Sequence, residues 1–208
     1  GGEEYASENE SFGLATMRKE HVTASDSIVT FDYPSKGGQR RVQSVVDPKV
    51  LEVVAQLKRR RQGTELLAYK ERGRWIDVKS EDVNAYIKEI TGASFTAKDF
   101  RTWNATVLAA VALAVSGPAA KRSKSSRERA IRRAVEEVAH YLGNTPAVAR
   151  SSYIDPRVFD RYRCGVTIGG ALPKLGDQGD LGVVHGPVEE AVLDLIAGGE
   201  SEVLEKVA

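Results

Sequence analysis

A chain of 208 residues, 41% of them hydrophobic, is long enough for one large domain or two small ones around a real core. Its single cysteine excludes an internal disulfide and a thiolate zinc cluster. The three histidines, His21, His140 and His185, lie too far apart for metal-ligand spacing, so neither metal nor other cofactor is expected. The formal net charge of +1 conceals segregation. Residues 36–74 hold eleven Lys/Arg against four Asp/Glu, a balance of +7, and residues 98–163 hold thirteen against six, again +7. Residues 164–208 hold two against eight, or −6. Two separated basic blocks predict a surface that faces a polyanion, with the acidic end turned elsewhere. The run Lys58-Arg59-Arg60-Arg61, taken alone, reads as a solvated helix face.

In chain order, residues 1–11 are polar and acidic, with no signal-peptide pattern. Residues 23–46 read as β structure: Ile28, Thr30 and Phe31 favour one extended segment, and Val42, Val45 and Val46 a second. Between them Pro34-Ser35-Lys36-Gly37-Gly38 has the composition of a turn, which puts Lys36 at a hairpin tip with Arg40 and Arg41 on the return strand. Asp47-Pro48 opens a helix to about Arg61. A short hairpin follows over residues 66–78, turning at Glu71-Arg72-Gly73, and a further helix runs from Ser80 to Ile90, closed by Gly92. Thr96 is the expected cap of the most apolar helix, residues 97–115, whose run 105–115 is too short for a bilayer and predicts a buried element. Ser116-Gly117-Pro118 ends it, and residues 119–125 form a basic linker containing Lys124.

The next helix spans residues 126–142. Ser125 and Glu128 have capping-box spacing; Ile131, Val135, Val138 and Leu142 share one face, and Gly143 stands where a left-handed cap is wanted. Thr145-Pro146 and Asp155-Pro156 each read as an N-cap followed by a first helical residue, ten positions apart. Tyr153 therefore falls at the joint between two short helices, with Asn144 at the junction upstream. Beyond Arg163 come a Gly-rich stretch, residues 165–186, with little regular pattern, a final helix over 187–196 and an acidic end. No repeat is present, and the glycines lack the lysine and strand–helix setting of an ATP-binding loop.

Leu142-Gly143-Asn144-Thr145-Pro146 followed by Ser151-Ser152-Tyr153-Ile154-Asp155-Pro156 resembles the nucleophile segment of type IB DNA topoisomerases, on their bacterial branch. Ala97-Lys98-Asp99-Phe100-Arg101-Thr102-Trp103 resembles the family's second arginine motif, and the hairpin lysine, Lys36, matches its general acid in place and context. The resemblance implies four catalytic residues in family order: Lys36, Arg101, Asn144 and the nucleophile Tyr153. It further implies DNA contacts at Tyr5 and Lys98; Arg40 and Arg41 on the return strand and Lys124 in the basic linker are expected as further DNA contacts by their position and charge. The expected fold is mainly α with a small antiparallel β-sheet near the N-terminus. Residues 1–163 are expected to form the catalytic domain, and residues 164–208 a Gly-rich segment and acidic helical tail packed on or following it.

The implied chemistry suits these residue types. A phosphodiester needs an oxygen nucleophile, relief of charge on its nonbridging oxygens and a proton for the leaving 5′-oxygen. A tyrosine, an arginine fork with an amide donor, and a lysine meet those needs. The implied partner is double-stranded DNA, relaxed without ATP or metal by a cytoplasmic, nucleoid-associated monomer that does not span a membrane. Two departures stand out. Asn144 occupies a position that is histidine in eukaryotic and many viral relatives. The family's first catalytic arginine would stand two places before Gly1, outside these 208 residues, as would the separate N-terminal domain; the expectation is a portion that cleaves slowly alone. The alternatives are a tyrosine recombinase or integrase, which usually carries a His-x-x-Arg box not found at residues 97–101, and a non-catalytic DNA-binding fragment.

Overall fold

The computed structural model describes residues 10–35, 38–117, 123–173 and 186–207. The chain is mainly helical with small antiparallel sheets, an α+β fold, and falls into two compact units, residues 1–97 and 98–208.

In the first unit, β1 (Val22–Ser25), β2 (Ile28–Pro34) and β3 (Arg40–Val45) form an antiparallel sheet in that order. The register runs from Val22↔Phe31 to Ser25↔Ile28 and from Val29↔Val45 to Pro34↔Arg40. The expected β region, residues 23–46, covers most of all three strands; only β2 and β3 were distinguished as separate segments, because the four residues of β1 are too few to show a period. Asp47 starts α1 (Pro48–Arg59) by accepting the amides of Lys49 (2.8 Å) and Val50 (3.1 Å). Val54 and Leu57 of this helix then pack with Val22, Val29, Met17 and Leu66 in one core cluster. The hairpin β4 (Ala68–Glu71) and β5 (Arg74–Asp77) turns at Arg72 and Gly73, with φ of 46° and 84°. Positive φ at both central residues is what a tight two-residue hairpin requires. α2 (Ser80–Thr91) ends at Gly92 in the left-handed conformation.

Two cations of the basic run at 58–61 serve the fold rather than the surface. Lys58 donates to the carbonyls of Lys19 and Val22. Arg60 is buried; it donates to the carbonyls of Gln62 and Glu65, pairs with Asp77 at 3.1 Å and lies over the Trp75 ring. Around it Lys19 gathers the carbonyls of Arg60 (2.6 Å), Gln62 (3.0 Å) and Gly63 (2.7 Å). Burial, and then the neighbouring Arg60 charge, hold the Lys19 ammonium below its ordinary pKa.

The second unit is built on α3 (Ala97–Val115) and α4 (Lys124–Leu142). Small side chains on α3 (Ala105, Ala109, Ala110, Ala114) join Leu113 and the Ile131, Val135, Val138 and Leu142 face of α4 in a single core cluster. α5 (Pro146–Ser152) and α6 (Pro156–Arg163) add Ala149, Val158, Phe159 and Tyr162 to it. Past Arg163, β6 (Val166–Thr167) pairs antiparallel with β7 (Glu205–Lys206), and a 3-10 turn at Gly169–Ala171 follows β6. The Gly-rich stretch thus holds more regular structure than its composition suggested; its residues 174–185 lie outside the described ones. The final helix, α7 (Pro187–Ala197), contributes Val188, Ala191, Val192 and Leu195 to the same core. Its Glu189 accepts the indole N–H of Trp103 at 2.6 Å.

α4 begins two residues before the expected start. Ser123, not Ser125, is the cap, accepting the Ser126 amide at 3.2 Å. The reason lies in Glu128, which the capping-box reading needed to turn back. Its carboxylate is taken by Arg163 of α6 at 2.8 and 3.3 Å. That hydrogen bond holds the Glu128 carboxyl below its usual range and raises the Arg163 guanidinium. Among the described residues no helix is long and apolar enough to cross a membrane.

Candidate active site

The site is assembled where three helix ends converge on α3. α4 stops in a Schellman motif. Gly143 takes φ 65°, its amide reaches the His140 carbonyl (3.1 Å), and the amide of Asn144 reaches the Ala139 carbonyl (2.9 Å). Only a residue tolerant of positive φ stands easily at 143, so the glycine fixes the backbone from which Asn144 projects. The next residue, Thr145, caps α5 by accepting the Val148 amide at 3.3 Å. α5 closes with the amides of Tyr153 and Ile154 both on the Ala149 carbonyl (3.2 Å each). Ile154 turns into the core, and Tyr153 is left half-buried at the joint. Asp155 then caps α6, accepting the Arg157 amide at 2.9 Å and the Arg157 guanidinium at 2.9 Å. The Arg157 hydrogen bond holds the Asp155 carboxyl below the usual carboxylate range.

α3 supplies the cation. Arg101, in its second turn, donates through Nη2 to the carbonyl of Leu142, the last residue of α4, where a positive charge complements the helix C-terminus. The same guanidinium lies over the ring of Tyr153, 5.4 Å from its centroid. Arg101 Nε and Asn144 Nδ2 are both buried, and neither has an acceptor. Buried donors left unpaired cost about 1–3 kcal/mol each. The Arg101–Leu142 hydrogen bond ties Arg101 to the chain two residues before Asn144, and both side chains carry donors of a kind suited to an anion.

The structure thus brings Arg101 against Tyr153 and ties it to the segment that carries Asn144. Lys36 and Tyr5 lie outside the described residues; the amide of Ser35 donates to the Gln39 carbonyl at 2.7 Å. Arg40 is exposed on β3 and is held by Asp32, donating from Nε to Oδ1 at 2.7 Å and from Nη2 to Oδ2. That bond lowers the Asp32 pKa and raises that of Arg40. Arg41 is half-buried opposite Tyr33. Lys98 is exposed in the first turn of α3, and Lys124 is exposed at the start of α4.

Sequence reading passed over Thr106. It is 3% exposed, five residues after Arg101 on α3, and its hydroxyl meets the backbone on both sides of the Tyr153–Asp155 joint. The available signal was one hydroxyl inside the run 105–115, otherwise apolar. Trp103 was likewise read only as part of a motif; its bond to Glu189 links the Arg101 helix to α7.

A family model described as eukaryotic DNA topoisomerase I, catalytic core, matches residues 1–163. The chain is also similar to DNA topoisomerase 1B of Acanthamoeba polyphaga mimivirus, 31% identical over 171 residues that cover 78% of this chain and 50% of that protein. It spans about half the length of that relative.

Proposed function

This chain belongs to the DNA topoisomerase I catalytic-core family, type IB, and on that footing we propose that it breaks and rejoins one strand of duplex DNA through a phosphotyrosine intermediate. The observation that carries the proposal is the Arg101 guanidinium over the Tyr153 ring, with unpaired donors of Arg101 and Asn144 buried in the same unit.

Tyr153 Oη, having given up its proton to solvent, attacks the scissile phosphorus as the phenolate; the bond to the 5′-oxygen breaks, and the 3′-phosphate becomes esterified to the phenol. Negative charge grows on the nonbridging oxygens as this happens. Arg101 meets it with a donor fork already oriented by the Leu142 carbonyl, and Asn144 adds a neutral amide N–H. Fixing the guanidinium beforehand removes the cost of organising it at the moment of reaction. Lys36 protonates the departing 5′-oxygen, the role its match to the family's hairpin lysine implies. The ester conserves the bond energy, so the 5′-hydroxyl reseals the strand by the reverse path without ATP or metal. Between the two steps the free end swivels and supercoils are lost.

The basic blocks supply a backbone-directed grip on double-stranded DNA, with Lys98, Lys124, Arg40, Arg41 and Tyr5 as contacts. Arg40 meets phosphate with its donors shared with Asp32, which weakens its contribution relative to a free guanidinium. We place the chain on the bacterial branch on the strength of Asn144, and its action on DNA leads us to propose a nucleoid-associated protein working as a monomer. The family model and the viral relative support type IB membership without selecting that branch.

The test is covalent trapping. A nicked suicide substrate labelled upstream of the scissile phosphate, incubated in EDTA, should yield a protein–DNA adduct with the wild type and none with Tyr153→Phe. Supercoiled plasmid without a specific site should be relaxed under the same conditions, which a site-specific recombinase does not do. Absence of adduct after prolonged single-turnover incubation, with DNA binding intact, would refute the proposal.

A further inference from the structure

We propose that Thr106 is the positioning residue of the nucleophile: its hydroxyl sets the backbone that carries Tyr153, using the same helix that carries Arg101. This deepens the preceding reading of the site and rests on it.

A buried hydroxyl in an alanine-rich helix face is costly unless paired. Thr106 is paired threefold. Its Oγ1 accepts the Asp155 amide at 3.1 Å and lies 3.1 Å from the Thr102 carbonyl and 3.4 Å from the Tyr153 carbonyl. One hydroxyl has one proton, so it donates either to the helix turn below or to the nucleophile's own carbonyl while still accepting from residue 155. The Tyr153–Asp155 joint is the break between α5 and α6, where the intrahelical ladders end. Tyr153 has φ −130° and ψ −26°, outside both helices. Two backbone groups of this break, the carbonyl of 153 and the amide of 155, are therefore indexed to one atom of α3.

Arg101 stands five residues earlier on that helix, and its guanidinium covers the Tyr153 ring at 5.4 Å. The phenol and the cation are thus positioned from one rigid rod, the first through Thr106 and the second directly. In-line attack tolerates little error; misplacement by about 1 Å costs on the order of 10²-fold. A hydroxyl that sets the nucleophile's backbone acts on the rate of phosphoryl transfer and not on the affinity for DNA.

The experiment compares Thr106→Val, which keeps the shape and removes the hydroxyl, with Thr106→Ser, which keeps the hydroxyl. Single-turnover adduct formation on the suicide substrate, DNA affinity by fluorescence anisotropy, and thermal melting are measured for each, well below the melting temperature. Thr106→Val is expected to form adduct about 10–100-fold more slowly, with affinity unchanged within twofold. Thr106→Ser is expected to stay within threefold of wild type in both. A substrate whose leaving 5′-oxygen is replaced by sulfur needs no proton donor; the Thr106→Val defect should persist on it, as befits a misplaced nucleophile.

A merely structural hydroxyl would lower the melting temperature of Thr106→Val and leave its cleavage rate at the wild-type value, overturning the assignment. Thr106→Ser as slow as Thr106→Val would do the same, and so would affinity falling in step with rate. If Thr106→Val does not melt cooperatively, Thr106→Ala makes the same comparison, and the demand on Thr106→Ser stands regardless. Failure of the wild type itself to form adduct sinks the reading of the site; wild-type adduct with an unslowed hydroxyl-less variant sinks Thr106 alone.

Discussion

Leu195 decides whether α7 is an appendage or part of the body that holds Arg101 and Tyr153. The family match ends at residue 163, yet Leu195 is 2% exposed in the cluster that contains Leu113, Ile131 and Phe159, while its neighbour Leu193 is 53% exposed. Truncating a buried leucine to alanine removes its transfer energy and leaves a cavity, together about 2–5 kcal/mol. An exposed leucine on the same helix should cost within about 0.5 kcal/mol. For a unit of this size the urea slope is about 2 kcal/mol per M, so Leu195→Ala should lower the midpoint by about 1–2.5 M and Leu193→Ala should barely move it. Trp103 lies in the second unit and donates to Glu189 of α7, so its fluorescence in a Trp75→Phe background reports this unit alone. Equal midpoints for the two leucine variants would show that α7 detaches before the core unfolds, and the reasoning would fail.

Arg101→Ala should slow adduct formation by about 10²–10³, measured on the suicide substrate, and Arg101→Lys should recover little because an ammonium cannot reach Leu142 and phosphate together as a fork does. Gly143→Ala forces an alanine to φ 65° and should destabilise the second unit by about 1 kcal/mol. Its larger effect should be on cleavage rate, since Asn144 moves with the cap. The Asp155 carboxyl is held below its usual range by Arg157, so its contribution is complete above the unfolded carboxylate value and is lost as pH falls through the lower folded value. The stability gap between wild type and Asp155→Asn, read by urea unfolding, should be constant above about pH 5 and close below about pH 4. DNA affinity should fall steeply with salt, at least tenfold between about 50 and 200 mM; a flat dependence by anisotropy would show that the basic blocks do not face phosphates.

The termini of helices were more legible than their partners. Asp47-Pro48, Thr145-Pro146 and Asp155-Pro156 each carry their capping chemistry in two adjacent residues, and each caps the helix it announces. Gly92 and Gly143 take the left-handed caps their positions require. What adjacent residues do not encode is which distant group competes for a side chain. Glu128 was spaced for a local box and is instead bound by Arg163, thirty-five residues on. Arg60 looked like one more cation in a basic run and is buried between Asp77 and Trp75. For Thr106 the single hydroxyl in an apolar run marks the position, but its partners at 153 and 155 are remote in sequence and nothing local says what it will hold.

The placement of Arg101 at the end of α4 carries an electrostatic consequence for the proposed chemistry. The C-terminus of a helix is partially negative and repels an incoming phosphate. Here the Leu142 carbonyl is covered by the guanidinium, so the cation screens that end while its Nε edge is left without an acceptor. One hydrogen bond fixes the plane of the arginine, and the plane fixes where the remaining donors point. Asn144, two residues beyond that carbonyl and locked by the Gly143 cap, adds a second unpaired donor. Leaving a buried donor unpaired costs about 1–3 kcal/mol, and Arg60, Arg127 and Arg161 each carry one such nitrogen as well; what sets Arg101 and Asn144 apart is that the Leu142 carbonyl ties Arg101 to the chain two residues before Asn144. A phosphate bound there would complete both donors, and the helix end that would otherwise expel the phosphate is then the element that orients the arginine.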